Sequence, residues 1–287
     1  MPHLFRSYLL SLALCFVFVP AYCFSQDEDR IVCNRILSFS FEHKLFEKPM
    51  GTVIGTIGKR FVGSPYEPNT LEQPGAERLV VNLHSFDCMT FVENVLALSS
   101  CIKKDRLSFD EFQKQLKIIR YRGGKIQGYA SRLHYFSEWV YDNQRKGILR
   151  DMTREFGGVP LNKRLNFMSR HRQLYRGLAD SSAFLQIQEI EDTLGTRQVF
   201  YIPKSAIVNS QFEIKTGDIL AMTTAQEGLD VAHTGIAIRL EDHSLHYLHA
   251  PNVKGKVTIT GETLSQYLQK HSSFTGIIVA RVLEPSE

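Results

Sequence analysis

One cysteine in the sequence stands where a nucleophile could form. Cys88 follows Asp87, and Phe91, Val92 and Val95 recur after it at helical spacing, so one face of the predicted helix packs on a core. Asp87 is a good N-cap, which places Cys88 in the first turn. There the free N–H groups and the helix dipole stabilise an anion, so we expect a lowered thiol pKa. A small buried cysteine with no catalytic role would give the same local pattern. Only a partner base can therefore distinguish a nucleophile from a structural cysteine.

The candidate base is a histidine at the start of a predicted strand. His233 leads into the C-terminal strands, and a strand start is rigid yet open to a cleft. In the next strand, Leu245, Tyr247 and His249 share one face because side chains alternate. If the two strands pair as a hairpin, His249 can approach the His233 ring and fix its tautomer and orientation. A lone histidine on a strand is more often structural, so it is the set of three groups that indicates catalysis.

A zinc site is the main chemical alternative. His243, His246 and His249 lie three residues apart, and histidine and cysteine both bind zinc. Residues three apart on a strand face opposite sides, so these rings converge only if the segment is not a strand. The sequence therefore favours a site without a metal ion or other cofactor.

The predicted helices precede the predicted strands along the chain. A Gly/Pro-rich loop around Tyr66 precedes the Cys88 helix, and residues 103–176 are mostly helical. Short β-branched segments separated by turn residues then predict an antiparallel sheet. The predicted strands are 217–222, 234–240, 245–249, 256–260 and 276–283. Helices followed by a sheet indicate an α+β fold.

Composition and charge exclude some classes of protein. The 287 residues are 43% hydrophobic and 22% charged, which is ordinary for a globular chain able to bury a core. The net charge of +4 is too small to imply nucleic acid. Residues 103–176 carry 18 Lys and Arg against 7 Asp and Glu. This basic stretch could bind an anionic ligand or simply form solvated helix faces.

The N-terminus has the order of a secretory signal peptide. Arg6 is followed by an apolar run over residues 8–20, then small residues, and the chain turns polar at Gln26. We expect residues 1–25 to be removed, because the run is short for a membrane span of about 20 residues. An uncleaved N-terminal anchor is the alternative.

Export would leave three cysteines in the mature chain. They are Cys33, Cys88 and Cys101, and an odd number leaves at least one thiol unpaired or paired between chains. Cys33 and Cys101 could form a disulfide, and Cys88 is the one in chemically suggestive surroundings.

Several segments resemble a known enzyme superfamily, the NlpC/P60 cysteine peptidases. The signature segments are Phe86-Asp87-Cys88, Ala232-His233-Thr234-Gly235-Ile236 and Leu248-His249-Ala250. The middle of the chain resembles one branch, the DUF1460 or N-acetylmuramoyl-L-alanine amidase-like group. That resemblance rests on Tyr121-Arg122-Gly123-Gly124-Lys125-Ile126, Tyr129-Ala130-Ser131-Arg132-Leu133-His134-Tyr135, Asn166-Phe167-Met168-Ser169-Arg170-His171 and Gly228-Leu229-Asp230-Val231-Ala232-His233. It covers roughly residues 30–284, and the motifs are more specific in their shared order than singly.

The resemblance implies a fold and a domain organisation. The fold is a papain-like NlpC/P60 core, in which an N-terminal helix bearing the cysteine packs on an antiparallel β-sheet. Residues 26–287 would form a single domain, with a basic helical insertion at about 103–197 and the sheet at about 198–284.

The resemblance also implies catalytic roles. Cys88 would be the nucleophile, His233 the base and His249 the orienting third residue. Tyr66 is similar to the family tyrosine near the oxyanion, which its phenolic O–H could stabilise. The usual Gly-Gly a few residues later is missing, and a turn aromatic covering the core is the alternative for Tyr66.

The activity implied by the resemblance is that of an N-acetylmuramoyl-L-alanine amidase. Such an enzyme cuts between the lactyl group of (anhydro)muramic acid and the first L-Ala of a muropeptide. Arg132 is the first candidate for the substrate carboxylates, since arginine binds them bidentately, although it could equally be an internal ion-pair partner. The secondary candidates for substrate binding are His134, Tyr135, Ser169, His171 and Asp230. Asp230 could instead orient a loop.

Two other functions remain open from the sequence. A γ-D-glutamyl-diamino-acid endopeptidase would share the core and the triad but cut lower on the stem peptide, and a silent wall-binding module would need no triad. Under the favoured interpretation, the partners are peptidoglycan fragments and not nucleic acid. We expect no stable membrane insertion after signal cleavage, a monomer, and export to the periplasm of a Gram-negative bacterium or secretion.

Overall fold

The computed structural model describes residues 26–252 and 255–285; the predicted signal peptide, residues 1–25, lies outside them. The α-helices are α1 Gln26–Glu42, α2 Met50–Arg60, α3 Cys88–Lys103, α4 Phe109–Arg120, α5 Phe136–Arg145, α6 Phe167–Arg170, α7 Ser181–Gly195, α8 Ile207–Ser210 and α9 Leu264–Lys270. The strands are β1 Leu149–Asp151, β2 Val159–Pro160, β3 Phe200–Pro203, β4 Ile219–Thr224, β5 Val231–Arg239, β6 Leu245–His249, β7 Thr258–Ile259 and β8 Phe274–Val282. Single 3-10 turns lie at Leu45–Glu47, Arg122–Gly124, Tyr129–Ser131, Arg172–Leu174 and Arg176–Ala179.

The strands form one sheet in the order β2-β3-β8-β4-β5-β6-β7, with β1 pairing beside β3 along β8. Every pairing between these strands is antiparallel, which confirms the sheet type predicted from the alternating segments. The sequence did not predict β1 and β2, which come from within the mainly helical middle of the chain.

The central helix is α3, which is buried on all sides. Every residue from Thr90 to Ile102 is buried, as expected for a helix enclosed by other elements. Its core includes Phe91 and Val95 and continues to Ile236 and Leu248 on one face of the sheet. A second core, which includes Tyr247, lies on the opposite sheet face under α9. The sheet is therefore enclosed on both faces where it carries the histidines.

A buried ion pair connects α3 to α4. Arg120 Nε donates to Glu93 Oε2 at 2.6 Å, and Arg120 Nη1 donates to the Val80 carbonyl at 2.6 Å. Both charged side chains are almost fully buried, so the pair holds the loop before Cys88 against the two helices.

Two of the cysteines lie in the core as free thiols. Cys33 and Cys101 are fully buried and unbridged, so the structure does not contain the disulfide that the sequence allowed. Burial raises the pKa of the Cys33 thiol to about 12, which leaves it protonated and unreactive. Within residues 26–252 and 255–285, no helix combines the length and apolar character needed to cross a bilayer.

Candidate active site

Cys88 begins α3, as the sequence predicted. The Asp87 carboxylate accepts hydrogen bonds from the backbone N–H groups of Met89 and Thr90, at 3.0 and 2.7 Å, and the Thr90 hydroxyl completes a capping box. The Cys88 thiol is free and partly exposed. On its other side, Thr234 lies close enough to the sulfur for its backbone N–H and hydroxyl to favour the thiolate. The thiol therefore lies against β5, at the residue next to His233.

The prediction of a lowered thiol pKa at Cys88 is wrong. Burial raises the pKa of Cys88 to about 11, and the Asp87 carboxylate adds to the increase. The nearby N–H and hydroxyl of Thr234 oppose this shift in the Cys88 pKa without reversing it. The helix N-terminus is thus outweighed by desolvation and by its own capping carboxylate, and the resting thiol is protonated at neutral pH.

His233 and His249 meet, as the alternation of β6 predicted. His233 Nε2 lies 2.7 Å from His249 Nδ1, with the two rings nearly perpendicular. The pairing of Met222 with His233 and of Thr223 with Val231 leaves one extra residue in β5, a β-bulge immediately before His233. Bulges re-aim neighbouring side chains, so this one sets the direction of the His233 ring.

Burial keeps both imidazoles neutral. It lowers the pKa of His233 to about 4, and nearby His271 adds a smaller electrostatic contribution in the same direction. Burial likewise lowers the pKa of His249 to about 3, with help from His233 and His271. At neutral pH the site consequently contains an uncharged thiol and two uncharged imidazoles.

An aromatic residue supports the histidine pair. The Tyr247 ring stacks on His249 at 4.7 Å and meets the edge of His233 at 5.9 Å. Gly235 makes this possible, because a Cβ there would lie 2.7 Å from the Tyr247 ring. Packing against the Tyr247 ring therefore explains why the residue after His-Thr is a glycine.

Tyr66 reaches the same site from the Gly/Pro-rich loop. Backbone hydrogen bonds tie this loop to the residues before Cys88: Phe86 N–H donates to the Pro65 carbonyl at 3.1 Å, and Glu67 N–H donates to the Phe86 carbonyl at 3.0 Å. Burial raises the pKa of Tyr66 to about 12, and the proximity of Cys88 contributes. The phenol is therefore protonated at neutral pH and able to donate a hydrogen bond.

A cleft of about 560 Å³ opens beside the histidine pair, and sequence reasoning missed two residues in it. Tyr267 and His271, one turn apart around the end of α9, line the cleft with His233 and His249. The Tyr267 ring lies 5.4 Å from His249, and its hydroxyl is close enough to Cys88 for an electrostatic effect on its pKa. The available signal was their spacing of four, which would put both side chains on one side of a helix.

Comparison with known proteins identifies the family. The model of the AmiA-like family, described as N-acetylmuramoyl-L-alanine amidase-like, matches residues 56–277. The chain belongs to the AmiA-like family. No curated protein sequence shows a significant match.

Solved structures support the AmiA-like assignment. An N-acetylmuramoyl-L-alanine amidase from Bacteroides uniformis is 38% identical, with a TM-score of 0.76 over 82% of this chain and 99% of that one. A Bacteroides fragilis protein provisionally described as a xylanase is 40% identical, with a TM-score of 0.72 over 79% of this chain and 99% of that one. A Legionella pneumophila protein of the DUF1460 family shares the fold at 24% identity, with a TM-score of 0.66 over 90% and 95% of the two chains.

In this AmiA-like chain, Arg132 has internal partners. Arg132 Nη2 donates to Glu72 Oε1 at 2.9 Å, and its Nε lies 3.5 Å from Glu77 Oε1. The guanidinium also lies over the Tyr129 ring at 4.8 Å. His134 is close by, with Nε2 3.1 Å from the Tyr129 carbonyl. Two of the protein's own carboxylates therefore already balance the charge expected to bind substrate.

The other predicted substrate residues form two internal networks. The Tyr135 hydroxyl donates to Glu191 at 2.7 Å, and the Ser169 N–H donates to the same carboxylate at 3.0 Å. His171 Nδ1 lies 2.8 Å from the Phe167 carbonyl.

Asp230 is the predicted residue that lies nearest to His233 in sequence, and it has a clear local role. It is buried, and its Oδ2 accepts a hydrogen bond from the Ser137 N–H at 2.7 Å. Ser137 lies in the first turn of α5, so Asp230 ties that helix to the start of β5 just before His233. This contact favours the orienting role over the binding of a substrate amine.

The three histidines of the zinc alternative do not converge. His246 and His249 point to opposite faces of β6, as strand geometry requires. His246 is occupied, with Nδ1 2.9 Å from the Thr260 carbonyl and Nε2 2.9 Å from the Ser244 hydroxyl. His243 lies in the preceding turn with a φ of 64°.

Proposed function

We propose that this chain is an N-acetylmuramoyl-L-alanine amidase with a papain-like core of the NlpC/P60 type. It cleaves the amide between the lactyl group of (anhydro)muramic acid and L-Ala, using Cys88, His233 and His249. The observation that carries the proposal is the 2.7 Å contact between His233 and His249, at the strand start whose next residue, Thr234, lies beside the Cys88 thiol.

The neutral resting site defines the first half of the reaction. His233 engages His249 through Nε2, so Nδ1 is the nitrogen left to act as a base. It removes the Cys88 proton as sulfur attacks the lactyl carbonyl, and the developing imidazolium remains hydrogen-bonded to His249. The imidazolium then protonates the L-Ala nitrogen, the C–N bond breaks, and a thioester on Cys88 remains.

Hydrolysis of the thioester completes the cycle. His233 takes a proton from water, and the hydroxide attacks the thioester carbonyl. The C–S bond breaks, the Cys88 sulfur regains its proton from His233, and the lactyl group leaves as a carboxylic acid. During both attacks, the protonated phenol of Tyr66 and the backbone N–H of Cys88 would stabilise the oxyanion, since the N–H groups of Met89 and Thr90 are already bonded to Asp87.

The peptide part of the substrate is assigned to the charged side of the molecule. A cavity of about 440 Å³ there is lined by Arg132, Arg176 and the carboxylates of Glu72, Glu77 and Asp180. Arg176 is exposed and has no ion pair among the described residues, so it is better placed than Arg132 to meet a stem-peptide carboxylate. In this proposal, the role of the secondary candidates is to support the structure around this cavity through their internal hydrogen bonds. They are His134, Tyr135, Ser169 and His171.

We also propose that residues 1–25 direct export, so that a single-domain monomer meets peptidoglycan fragments outside the cytoplasm. The apolar run over residues 8–20 and the family of wall amidases support this assignment.

Glycoside hydrolysis is the function suggested by the xylanase description. That reaction ordinarily needs two carboxyl groups flanking the scissile bond. Among the described residues of the cleft beside His233, the lining carboxylate is Glu262, which is ion-paired with Lys270. The site therefore favours acyl transfer over glycoside hydrolysis.

Fragment masses test the proposed bond. A defined anhydromuramyl tetrapeptide is incubated with the wild type, Cys88→Ala and Cys88→Ser, and the products are weighed by mass spectrometry. We expect the wild type to release a peptide beginning with L-Ala and both variants to be inactive. A sugar that retains L-Ala and D-Glu would identify the endopeptidase instead, and full hydrolysis by Cys88→Ala would refute cysteine catalysis.

A further inference from the structure

The basic stretch over residues 103–176 contains both paired and unpaired cations. Thirteen of its 18 Lys and Arg side chains form an ion pair or a hydrogen bond with another described residue. The five that have neither kind of partner within residues 26–252 and 255–285 are Lys117, Lys125, Arg145, Arg154 and Arg176. Two of these five, Lys125 and Arg145, line one cavity. Positive charge that the protein does not balance internally is therefore concentrated there.

This cavity lies between the turn that follows α4 and the last turns of α5. Its volume of about 440 Å³ is within the usual range for small-molecule sites. Its charged lining residues are four cations and one carboxylate: Arg122, Lys125, Arg145, Lys146 and Asp142. None of its lining residues belongs to the cleft beside His233, so a ligand bound here leaves that cleft open.

Internal contacts hold the walls of the cavity in place. The Asp142 carboxylate accepts hydrogen bonds from the Gly123 N–H at 3.2 and 3.3 Å and is ion-paired with Lys146 one turn later. Lys146 Nζ also donates to the Tyr121 carbonyl at 2.9 Å. Gly123 has a φ of 57°, a conformation that glycine adopts without strain. The turn that carries Lys125 is therefore tied to α5 without any ligand.

We propose that this cavity binds phosphate groups. The other two cations of its wall are each paired with a carboxylate of α5, so the charge left for a ligand is that of Lys125 and Arg145. A carboxylate would balance only one of them. A phosphate group carries up to two negative charges and three acceptor oxygens, so it can accept from the fork of an arginine and from a lysine together.

The cationic surface continues past Arg145 along α5. The guanidinium of Arg145 lies 5.9 Å from the centre of the Tyr141 ring, and that of Arg197 lies 3.8 Å from it. Arg197 has no ion pair in the described part of the chain, and its buried Nη1 lacks a hydrogen-bond partner there. Asp151 lines the same small cavity as Arg197 without pairing with it. Unpaired cations on both sides of Tyr141 favour a ligand with several phosphate groups in series over a single phosphate.

The cavity assigned to the stem peptide is a poorer site for such a ligand. Gln127 lines both cavities, so they are neighbours. In the stem-peptide cavity, however, the unpaired Arg176 shares the wall with three carboxylates, which repel a multiply charged anion. The single carboxylate of the α5 cavity is already paired with Lys146. The phosphate site is therefore a separate site, and it does not depend on the proposed amidase activity.

Three variants with the same change in charge test the site. Arg145→Gln and Lys125→Gln each remove an exposed cation and leave no carboxylate unpaired, so the fold should be unaffected. Arg154→Gln is the matched control. Arg154 is also exposed and unpaired, and it also lies over an aromatic ring, that of Phe200 at 5.3 Å, but it does not line the cavity.

Isothermal titration calorimetry at low ionic strength measures Kd for sodium tripolyphosphate. We expect Arg145→Gln and Lys125→Gln each to weaken binding on the order of tenfold, the value of one hydrogen bond to a charged group. Arg154→Gln should change Kd by less than about twofold. The wild type should bind tripolyphosphate more tightly than citrate, which carries carboxylates in place of phosphates.

Co-sedimentation with vesicles distinguishes the sources of phosphate. Binding to phosphatidylcholine vesicles that contain phosphatidylglycerol, lost in Arg145→Gln, would identify a lipid headgroup as the ligand. Tripolyphosphate binding without vesicle binding would support a soluble or polymeric phosphate.

Four results would each overturn the phosphate site. They are no tripolyphosphate binding by the wild type, an unchanged Kd in both cavity variants, an equal loss in Arg154→Gln, and equal affinity for citrate. The proposed function fails separately, when the wild type releases no peptide beginning with L-Ala. Arg145→Gln should hydrolyse muropeptide at the wild-type rate, because Arg145 does not line the cleft beside His233.

Discussion

Acidification should destabilise this fold through the histidine pair before it affects most carboxylates. Burial lowers the pKa of His233 from 6.5 to about 4, so the unfolded chain takes up this proton first as the pH falls. Between those two pKa values the unfolded state binds more protons than the folded state. The free energy of unfolding therefore decreases as the pH decreases. The whole shift corresponds to about 3 kcal/mol, of which about 2 kcal/mol is lost by pH 5. His249 adds to the loss in the same direction, since burial also lowers its pKa.

Urea unfolding followed by circular dichroism measures this contribution. The free energy of unfolding is determined at about pH 7.5 and about pH 5 for the wild type and for His233→Asn, which retains a donor toward His249 but cannot titrate. Because other buried groups titrate in both proteins, the difference between the two losses isolates His233. We expect His233→Asn to lose about 2 kcal/mol less than the wild type. Parallel pH profiles would show that His233 takes up a proton in the folded state as readily as in the unfolded chain.

Three further predictions concern the site and its support. The wild-type kcat/KM, measured by chromatography of muropeptide products, should be constant from about pH 8 to 6. It should decrease toward pH 4 because the His233 base becomes protonated. A decrease centred near pH 6.5 would contradict the lowered pKa of His233. Tyr66→Phe should lower kcat on the order of a hundredfold with little change in KM, and an unchanged kcat would remove Tyr66 from the oxyanion site. Arg120→Met should cost about 3–5 kcal/mol in urea unfolding by leaving Glu93 buried and unpaired, while Arg120→Met with Glu93→Leu should recover much of the loss. An equally destabilised double variant would show that the ion pair itself, and not the unpaired charge, determines the stability.

The parts of the site that sequence predicted depend on local rules. N-capping by Asp87 fixes Cys88 in the first turn whatever surrounds the helix, and the structure confirms that placement. Alternation along β6 places Tyr247 and His249 on one face, and a short connection makes the pairing with β5 the natural outcome. The rings of His233 and His249 meet for that reason. The extra residue before His233 was not predicted, because a bulge depends on the partner strand as well.

The parts that sequence did not predict depend on distant partners. The sequence left Arg132 open between substrate binding and an internal ion pair, because Glu72 and Glu77, which neutralise it, come from a loop more than fifty residues earlier. The Cys88 pKa moved in the opposite direction to the prediction because a helix N-terminus is visible in sequence and the extent of burial is not. Tyr267 was missed for a related reason, since α9 contributes to the site only after β6 and the following turn bring it beside His249.

In the proposed mechanism, the neutrality of the site would explain how a histidine serves as the third residue. A carboxylate beside His233 would favour the imidazolium and raise the resting pKa, so that much of the base would already be protonated near neutral pH. His249 accepts the same hydrogen bond without adding charge, and its depressed pKa keeps it neutral while His233 becomes charged during the reaction. The cost of a neutral acceptor is weaker stabilisation of the imidazolium. The burial of both imidazole side chains strengthens the hydrogen bond between them and offsets part of that cost. The burial of the imidazoles and the neutrality of His249 therefore act jointly, since either one alone would make His233 a poorer base.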